Sequence, residues 1–209
     1  TLTNKAAMTA DTITMNGTGS ILTSKTLKSD GITLNGGDLT NSGTGIIAER
    51  TVGGAGDFIT LVGGTLTNSS TATTALIIDN LTLNGANLSS SKMLNVMDTL
   101  TLVGGGTRNI SIAGTAMAIN LDLQSNTIMT QGKLTVTDFT FNAAVYFQMN
   151  NSTLGTNLEI NGALTNCDAT HYFITGGSSK VWVKATNVMK SVLITDDVVN
   201  PVIQIDITS

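Results

Sequence analysis

The sequence has little cysteine, proline, aromatic residue or charge. Its 209 residues include one Cys, one Pro, 4% aromatic residues and 11% charged residues. The single Cys167 cannot form an internal disulfide, and we interpret it as a small buried residue because no basic or histidine partner stands near it in the sequence. No apolar run approaches the roughly 18 to 20 residues that a transmembrane helix needs, which predicts a soluble chain without membrane insertion.

Positive charge is also scarce. The net charge is -4, the pI is near 4.7, and the ten Lys and Arg residues are scattered. A nucleic-acid surface normally has clustered Lys and Arg, so this class of partner is excluded. The only histidine, His171, has no second histidine with which to form a metal site or a catalytic triad. We therefore expect neither a metal nor a cofactor.

The residues that are abundant are those of short strands and tight turns. The chain is 41% hydrophobic and contains 22 Gly. Thr, Asn and Ser fill most of the polar positions. Because β-branched Thr favours strands and Asn and Gly favour turns, this composition predicts many short strands joined by corners.

A phrase recurs along the chain. ITLNGGDLTNS at 32–42 returns as ITLVGGTLTNS at 59–69 and as LTLNGANLSSS at 81–91. Related strand phrases are about 20 residues apart, which is the length of one coil in many β-solenoids. Their starts are Ile13, Ile32, Ile59, Leu81, Leu100, Ile119, Leu134 and Leu158.

Each phrase alternates with period two, so that Ile32 and Leu34 point one way and Thr33 the other. Four asparagines stand just before a glycine and are expected to stack at one corner as a hydrogen-bonded ladder, interrupted where valine replaces asparagine. The asparagines are Asn16, Asn35, Asn84 and Asn161, and the valines are Val62 and Val103.

These patterns predict an all-β fold, a right-handed parallel β-helix, with a β-sandwich as the alternative. Coils of about 20 residues are expected over 1–167. The segment 168–209 lacks the repeated phrase and contains the only His, Trp and Pro, so we interpret it as an atypical C-terminal cap or the start of a following β domain. The absence of an initiator Met and the abrupt final strand suggest a fragment of a longer protein.

The combination of LNGGDLTNS coils with a later segment, HYFITGG then KVWVK then NPVIQI, resembles the large cell-surface and secreted proteins of the Bacteroidetes. These include gliding-motility adhesins exported by the type IX secretion system. The matching passages are Tyr172 to Gly176, Lys180 to Lys184, and Asn200 to Val202. The resemblance implies an extracellular, cell-surface location and partners among other domains of the same polypeptide, surface polysaccharides, and the secretion and motility machinery.

The segment KVWVK is the main candidate for recognition. Alternation places Lys180, Trp182 and Lys184 on one face, and Val181 and Val183 on the other. If the valines face the core, an aromatic plate between two cations faces outward and could stack on a sugar ring. The alternative is that Trp182 covers the end of the solenoid.

Other motifs carry weaker hypotheses. Asp196 and Asp197 are adjacent, so in a strand they point to opposite faces and cannot share a catalytic site. The stretch GGAGDFI at 53–59 is similar to a calcium-binding nonapeptide but occurs once and lacks a spacer, so we interpret it as a loop.

Sugar attachment is a further hypothesis. If the resemblance holds, Thr12 in DTI and Thr99 in DTL match the pattern on which Bacteroidetes attach O-glycans. Asn-x-Ser/Thr sequons also occur, although the high Thr content explains them. They are at Asn16, Asn68, Asn80, Asn87, Asn109, Asn150 and Asn151.

The functional expectation is a non-catalytic segment of an extracellular adhesin, a rigid β-solenoid that spaces or displays binding regions. The alternative is a self-assembling filament or stalk subunit whose open strand at Val202 to Ile207 pairs with a neighbouring chain. A polysaccharide-active enzyme is a less favoured alternative. Ice binding through Thr-x-Thr rows needs a flat regular array, against which the unequal coil spacing argues.

Overall fold

A computed structural model describes residues 1–48, 56–72, 76–149, 156–167, 170–175 and 179–183, together with the backbone of the strands at 194–196 and 202–205. All regular structure in these residues is β-strand. This described part of the chain accordingly contains no helix that is long and apolar enough to cross a membrane.

Most strands are short, as the frequent Gly and Asn predict, and a few bend through a corner without interruption. In chain order they are β1 (Leu2–Asn4), β2 (Met8–Asn16), β3 (Ile21–Thr23), β4 (Leu27–Asn35), β5 (Leu39–Asn41), β6 (Ile47–Ala48), β7 (Phe58–Val62), β8 (Thr65–Asn68), β9 (Leu76–Ile78), β10 (Asn80–Asn84), β11 (Asn87–Ser90), β12 (Leu94–Val103), β13 (Arg108–Leu123), β14 (Thr127–Phe141), β15 (Tyr146–Met149), β16 (Thr156–Ile160), β17 (Leu164–Thr165), β18 (Tyr172–Thr175), β19 (Lys180–Val183), β20 (Ile194–Asp196) and β21 (Val202–Ile205).

The strands stack in parallel as a right-handed β-helix of about eight turns, which confirms the predicted fold. The β-sandwich alternative is wrong, since sandwich sheets are antiparallel whereas each strand here pairs in parallel with the strand one coil away. At about 4.8 Å per coil, eight turns extend about 40 Å.

Each full turn contributes to three sheets. Sheet A contains β1, β3, β5, β8, β11, the start of β13 and of β14, β15, β18 and β20. Sheet B contains the start of β2, β4 and β12, the middle of β13 and β14, and β6, β9, β16, β19 and β21. Sheet C contains the ends of β2, β4, β12, β13 and β14, with β7, β10 and β17.

The repeated phrase lies in sheet C, where the first five starting residues stand in one register. The last three starts were predicted incorrectly. Leu121, not Ile119, is the register partner of Leu100, and Ile119 is 48% exposed. Leu134 and Leu158 pair with each other in sheet B. Alternation alone does not distinguish these sheets, because both bury every second residue.

Corners between sheets absorb the unequal spacing of the phrases. Ile32 and Ile59 are adjacent in sheet C although 27 residues separate them, whereas Ile13 and Ile32 are adjacent with 19. The strands therefore stay in register while the connections vary in length.

The core changes composition along the axis. The first coils bury Leu and Ile, such as Leu34 and Leu61 with no exposed surface. The later coils bury four of the five phenylalanines, which are Phe139, Phe141, Phe147 and Phe173. The Phe139 ring centroid lies 4.8 Å from that of Phe141, 5.8 Å from Phe147 and 5.3 Å from Phe173. Tilted and edge-on rings at these distances pack favourably.

A buried polar ladder runs along the corner between sheets A and B, at the ends of the sheet A strands. The Asn4 amide donates to Thr23 Oγ1 at 3.0 Å, the Asn41 amide to Asn68 Oδ1 at 3.0 Å, and the Asn68 amide to Ser90 Oγ at 3.2 Å. All five side chains are at most 5% exposed. Buried polar groups need such partners, so these bonds fix the corner between the first and second coils and again from the third coil to the fifth.

The predicted outer asparagine ladder is present for one step. The Asn35 amide donates to Asn16 Oδ1 at 2.8 Å. Val62 stands next in register and interrupts it, as expected, and Val103 follows Asn84. Asn161 is not a member, because it lies at the end of sheet B, where its backbone N–H donates to the Val136 carbonyl.

Strand pairing continues beyond residue 167. β18 stacks on β15 in sheet A, and β19 stacks on β16 in sheet B. β20 and β21 continue the same two sheets. The described strands of 168–209 thus follow the axis of the preceding coils.

Candidate functional site

Trp182 lies on the outer face of sheet B. Val181 is fully buried and Val183 is 1% exposed, whereas Lys180 and Trp182 are half-buried on the opposite face of β19. The alternation of KVWV therefore orients the strand as the sequence predicts. Lys184, the third residue of the predicted site, lies outside the described residues.

A different lysine supplies the second cation. Lys133 comes from β14, two coils away, and its Nζ lies 5.7 Å from the Trp182 ring centroid. Lys180 Nζ lies 5.9 Å from the same centroid. Lys133 also forms an ion pair with Glu159 of the intervening coil, at 2.6 Å between Nζ and Oε2. Ammonium groups at these distances are attracted to the π face of the indole.

The four residues form a layered cluster because of sheet register. Lys133 pairs with Asn157 and Asn157 with Lys180, while Glu159 pairs with Trp182. The buried Glu159 carboxylate thus lies between two coils that carry cations, and it fixes Lys133 in place. Nε1 of Trp182 is buried, and no described residue accepts a hydrogen bond from it.

An apolar groove continues the same face toward the N-terminus. It has a volume of about 290 Å³ and is lined in part by Met97, Met117 and Ile119, which are 44%, 46% and 48% exposed. In the outward row of sheet B, Met117 pairs with Thr135, Thr135 with Glu159, and Glu159 with Trp182. We call the groove and the Lys133–Glu159–Lys180–Trp182 cluster together the Trp182 face.

The Trp182 face combines exposed apolar side chains, an aromatic plate and two ammonium groups. Such a surface suits a ligand that has an apolar face together with hydroxyl or anionic groups, as a saccharide does. The sequence carries one signal for the groove. Outward positions elsewhere are mostly Thr, Ser or Asn, and Met97, Met117 and Ile119 depart from that pattern.

The remaining candidates do not join this face. Cys167 is half-buried and packs against the core, and the Thr170 hydroxyl lies 2.9 Å from His171 Nδ1. Asp196 ends β20 in sheet A, whereas Asp197 lies outside the described residues. Residues 53–55 of the loop GGAGDFI also lie outside the described residues, as do Asn150 and Asn151 among the sequons.

The two proposed O-glycan acceptors occupy equivalent places in the repeat. Thr12 is exposed in β2, and Thr99 is half-buried in β12, where its hydroxyl donates to Asp98 Oδ1 at 3.2 Å. Five aspartates precede the sheet C strands at the corner with sheet B, one in each of five successive coils. They are Asp11, Asp30, Asp57, Asp79 and Asp98. The aspartates of the DTI and DTL motifs therefore occupy a position at which aspartate recurs in five successive coils, so aspartate there is a feature of the repeat.

Threonines form a regular row on sheet C despite the unequal phrase spacing. Register places Thr14, Thr33, Thr60, Thr82 and Thr101 side by side. The expectation that unequal coil spacing prevents a regular threonine row is thus wrong. The adjacent outward row is irregular, however, because Gly31 and then Phe58 follow Thr12. The flat double row that ice binding would need is interrupted there.

No group of three or more His, Cys, Asp or Glu among the described residues could hold a metal ion. The chain matches no protein-family model, and comparisons with curated proteins and with solved structures find no similar chain.

Proposed function

We propose that this chain is a non-catalytic segment of a large extracellular bacterial adhesin, a rigid β-solenoid that spaces and displays binding regions at the cell surface. The Trp182 face is the proposed recognition surface, with a saccharide as its ligand. The setting among type IX secreted proteins of the Bacteroidetes rests on the sequence resemblance alone.

Mechanical continuity supports the role of a spacer. Parallel hydrogen bonding joins every coil to the next, and the core is filled from Ile13 to Val183 along the axis. Because each coil contacts only its neighbours, adding coils lengthens such a body without changing its cross-section.

The Trp182 face is the observation that carries the recognition role. A lone outward tryptophan is accounted for as a cover for the solenoid end. This ring, however, is flanked by Lys133 and Lys180, and an exposed apolar groove lies on the same sheet face, beyond Glu159. On such a surface, an aromatic ring stacks on the apolar face of a sugar ring, and ammonium groups donate hydrogen bonds to its hydroxyl or acidic groups.

Trp182→Ala tests the recognition role. Wild-type protein and the variant are compared for binding to an array of neutral and acidic polysaccharides and for thermal midpoint. We expect binding to fall by about tenfold or more, because the main apolar contact is lost. Phe58→Ala is the matched control, since it removes a 37% exposed aromatic from sheet C and is expected to bind normally.

A fall in thermal midpoint with binding unchanged would assign Trp182 to covering the solenoid and reject the recognition role. Wild-type protein that binds no polysaccharide on the array would reject it as well.

The pairing of β21 favours a second function, a self-assembling filament or stalk subunit. Within the described residues, β21 pairs only with β19. Unpaired strand edges template further strands. Sedimentation over a concentration series separates the two functions, because a filament subunit grows with concentration whereas a segment of a longer rod stays monomeric.

A further inference from the structure

Arg108 occupies a position that the four preceding coils fill with very small residues, whereas the next coil has Thr127 in the same register. Counting back two residues from the paired strands of sheet A, it aligns with Ala86 and with three glycines, at the corner where sheet C turns into sheet A. The glycines are Gly19, Gly37 and Gly64. A Cβ on Gly37 would overlap the Gly19 carbonyl oxygen, so this corner is too tight for a side chain in the early coils.

A longer connection makes room for Arg108. Between β10 and β11 the corner consists of Gly85 and Ala86, whereas between β12 and β13 it consists of Gly104, Gly105, Gly106 and Thr107. The extra residues carry the chain outward and are exposed or half-buried. Insertions at one coil of a repeat commonly form functional loops.

Arg108 is 6% exposed, its Nε is buried without a hydrogen-bond partner, and its guanidinium makes no ion pair or hydrogen bond with the described residues. Its two terminal nitrogens lie beside the extended corner. One is 3.8 Å from where a Cβ would stand on Gly85, and the other is 3.5 Å from the corresponding position on Gly106. The guanidinium thus points at the glycine loop. A buried charge normally has a partner, because leaving it without one is costly.

The loop has the alternating backbone φ that is typical of an anion-binding nest. Gly104 has φ +99° and Gly106 has φ +82°, while Gly105 between them does not have positive φ. Alternating signs of φ turn successive N–H groups toward one point and form an anion-binding nest. None of the described residues accepts a hydrogen bond from the amides of these three glycines.

We propose that Arg108 and the loop 104–107 form a binding site for an oxyanion: a carboxylate, sulfate or phosphate group. The guanidinium would supply the charge and a planar pair of donors, and the glycine amides would supply further donors around the anion. Glycine is favoured at 104 and 106 because both residues have φ in the left-handed region, and a Cβ on Gly106 would occupy space beside the guanidinium, 3.5 Å from its nearest nitrogen. This site is at the corner between sheets C and A, whereas the Trp182 face is on sheet B, and it does not depend on the proposed function.

The test is titration of the purified protein with sodium sulfate, phosphate and acetate, against sodium chloride at equal ionic strength. Amide chemical shifts of residues 104–107 and calorimetry report binding. We expect saturable shifts in these amides, and a loss of affinity of about tenfold or more in Arg108→Met. In chloride alone, Arg108→Met is expected to unfold at a higher temperature than wild type, because it removes a mostly buried guanidinium whose Nε has no hydrogen-bond partner.

Two glycine variants separate the site from general strain. Gly106→Ala is expected to weaken anion binding because its Cβ would lie against the guanidinium. Gly17→Ala, at a similar φ of +68° with no atom within 4 Å of its Cβ, is expected to bind like wild type. If Arg108→Met is not recovered folded, the glycine variants still test the site: weaker anion binding in Gly106→Ala than in Gly17→Ala supports it, and equal binding in the two contradicts it.

Titration with glucuronate, with a sulfated monosaccharide and with glucose distinguishes a saccharide-borne anion from a free inorganic one. Binding of either acidic sugar but not glucose identifies a saccharide-borne anion, and binding of inorganic ions alone identifies a free anion. Wild-type amides that do not respond to any of the anions would overturn the proposal, as would equal affinity in wild type and Arg108→Met.

Discussion

The buried polar ladder between sheets A and B gives the sharpest prediction about stability. Asn68 is fully buried, accepts from the Asn41 amide at 3.0 Å and donates to Ser90 Oγ at 3.2 Å. Asn68→Ala removes both hydrogen bonds, each contributing about 1 kcal/mol, and leaves a small cavity in a packed corner. We expect a loss of about 3 kcal/mol, which for a chain of this size lowers the thermal midpoint by about 6 to 12 °C.

Asn35→Ala is the matched control on the exposed outer ladder. It also removes an asparagine-to-asparagine bond, to Asn16 at 2.8 Å, but water can replace the lost partner. We expect a change within about 0.5 kcal/mol. Thermal and urea unfolding followed by far-ultraviolet circular dichroism measure both variants. Equal losses in the two variants would refute the assignment of stability to the buried ladder.

Two further predictions concern packing. Phe139→Ala removes a fully buried ring that contacts three other phenylalanines, so urea unfolding should show a loss of about 3 to 5 kcal/mol; a loss under 1 kcal/mol would contradict the described aromatic core. Gly37→Ala places a Cβ against the Gly19 carbonyl and should lower the thermal midpoint far more than Gly17→Ala, whose Cβ meets no atom; equal midpoints would show that the corner can widen.

Much of the fold followed from local patterns. The alternation in ITLNG identified which side chains are buried, and recurrence of the phrase identified stacked coils, because equivalent environments select similar residues. The orientation of Trp182 and Lys180 followed from the same alternation in KVWV. The Asn16 to Asn35 contact followed from equal places in adjacent phrases.

The phrases after Leu100 were assigned to the wrong positions for a physical reason. Sheets B and C both bury alternate residues, so Leu134 satisfies the pattern of either sheet. Only the path of the chain around the corners distinguishes them. The buried ladder was likewise missed, because Asn41 and Asn68 look in sequence like exposed turn residues.

By itself the sequence determined the class of structure and its orientation: period-two alternation within a recurring phrase specifies stacked parallel strands and the face that each side chain takes. The tertiary structure alone decided which distant residues meet. Lys133 reaches Trp182 across two coils, and Arg108 reaches Gly85 of the neighbouring coil, because successive coils stack at about 4.8 Å. The corner lengths that set those neighbours leave no local pattern in the chain.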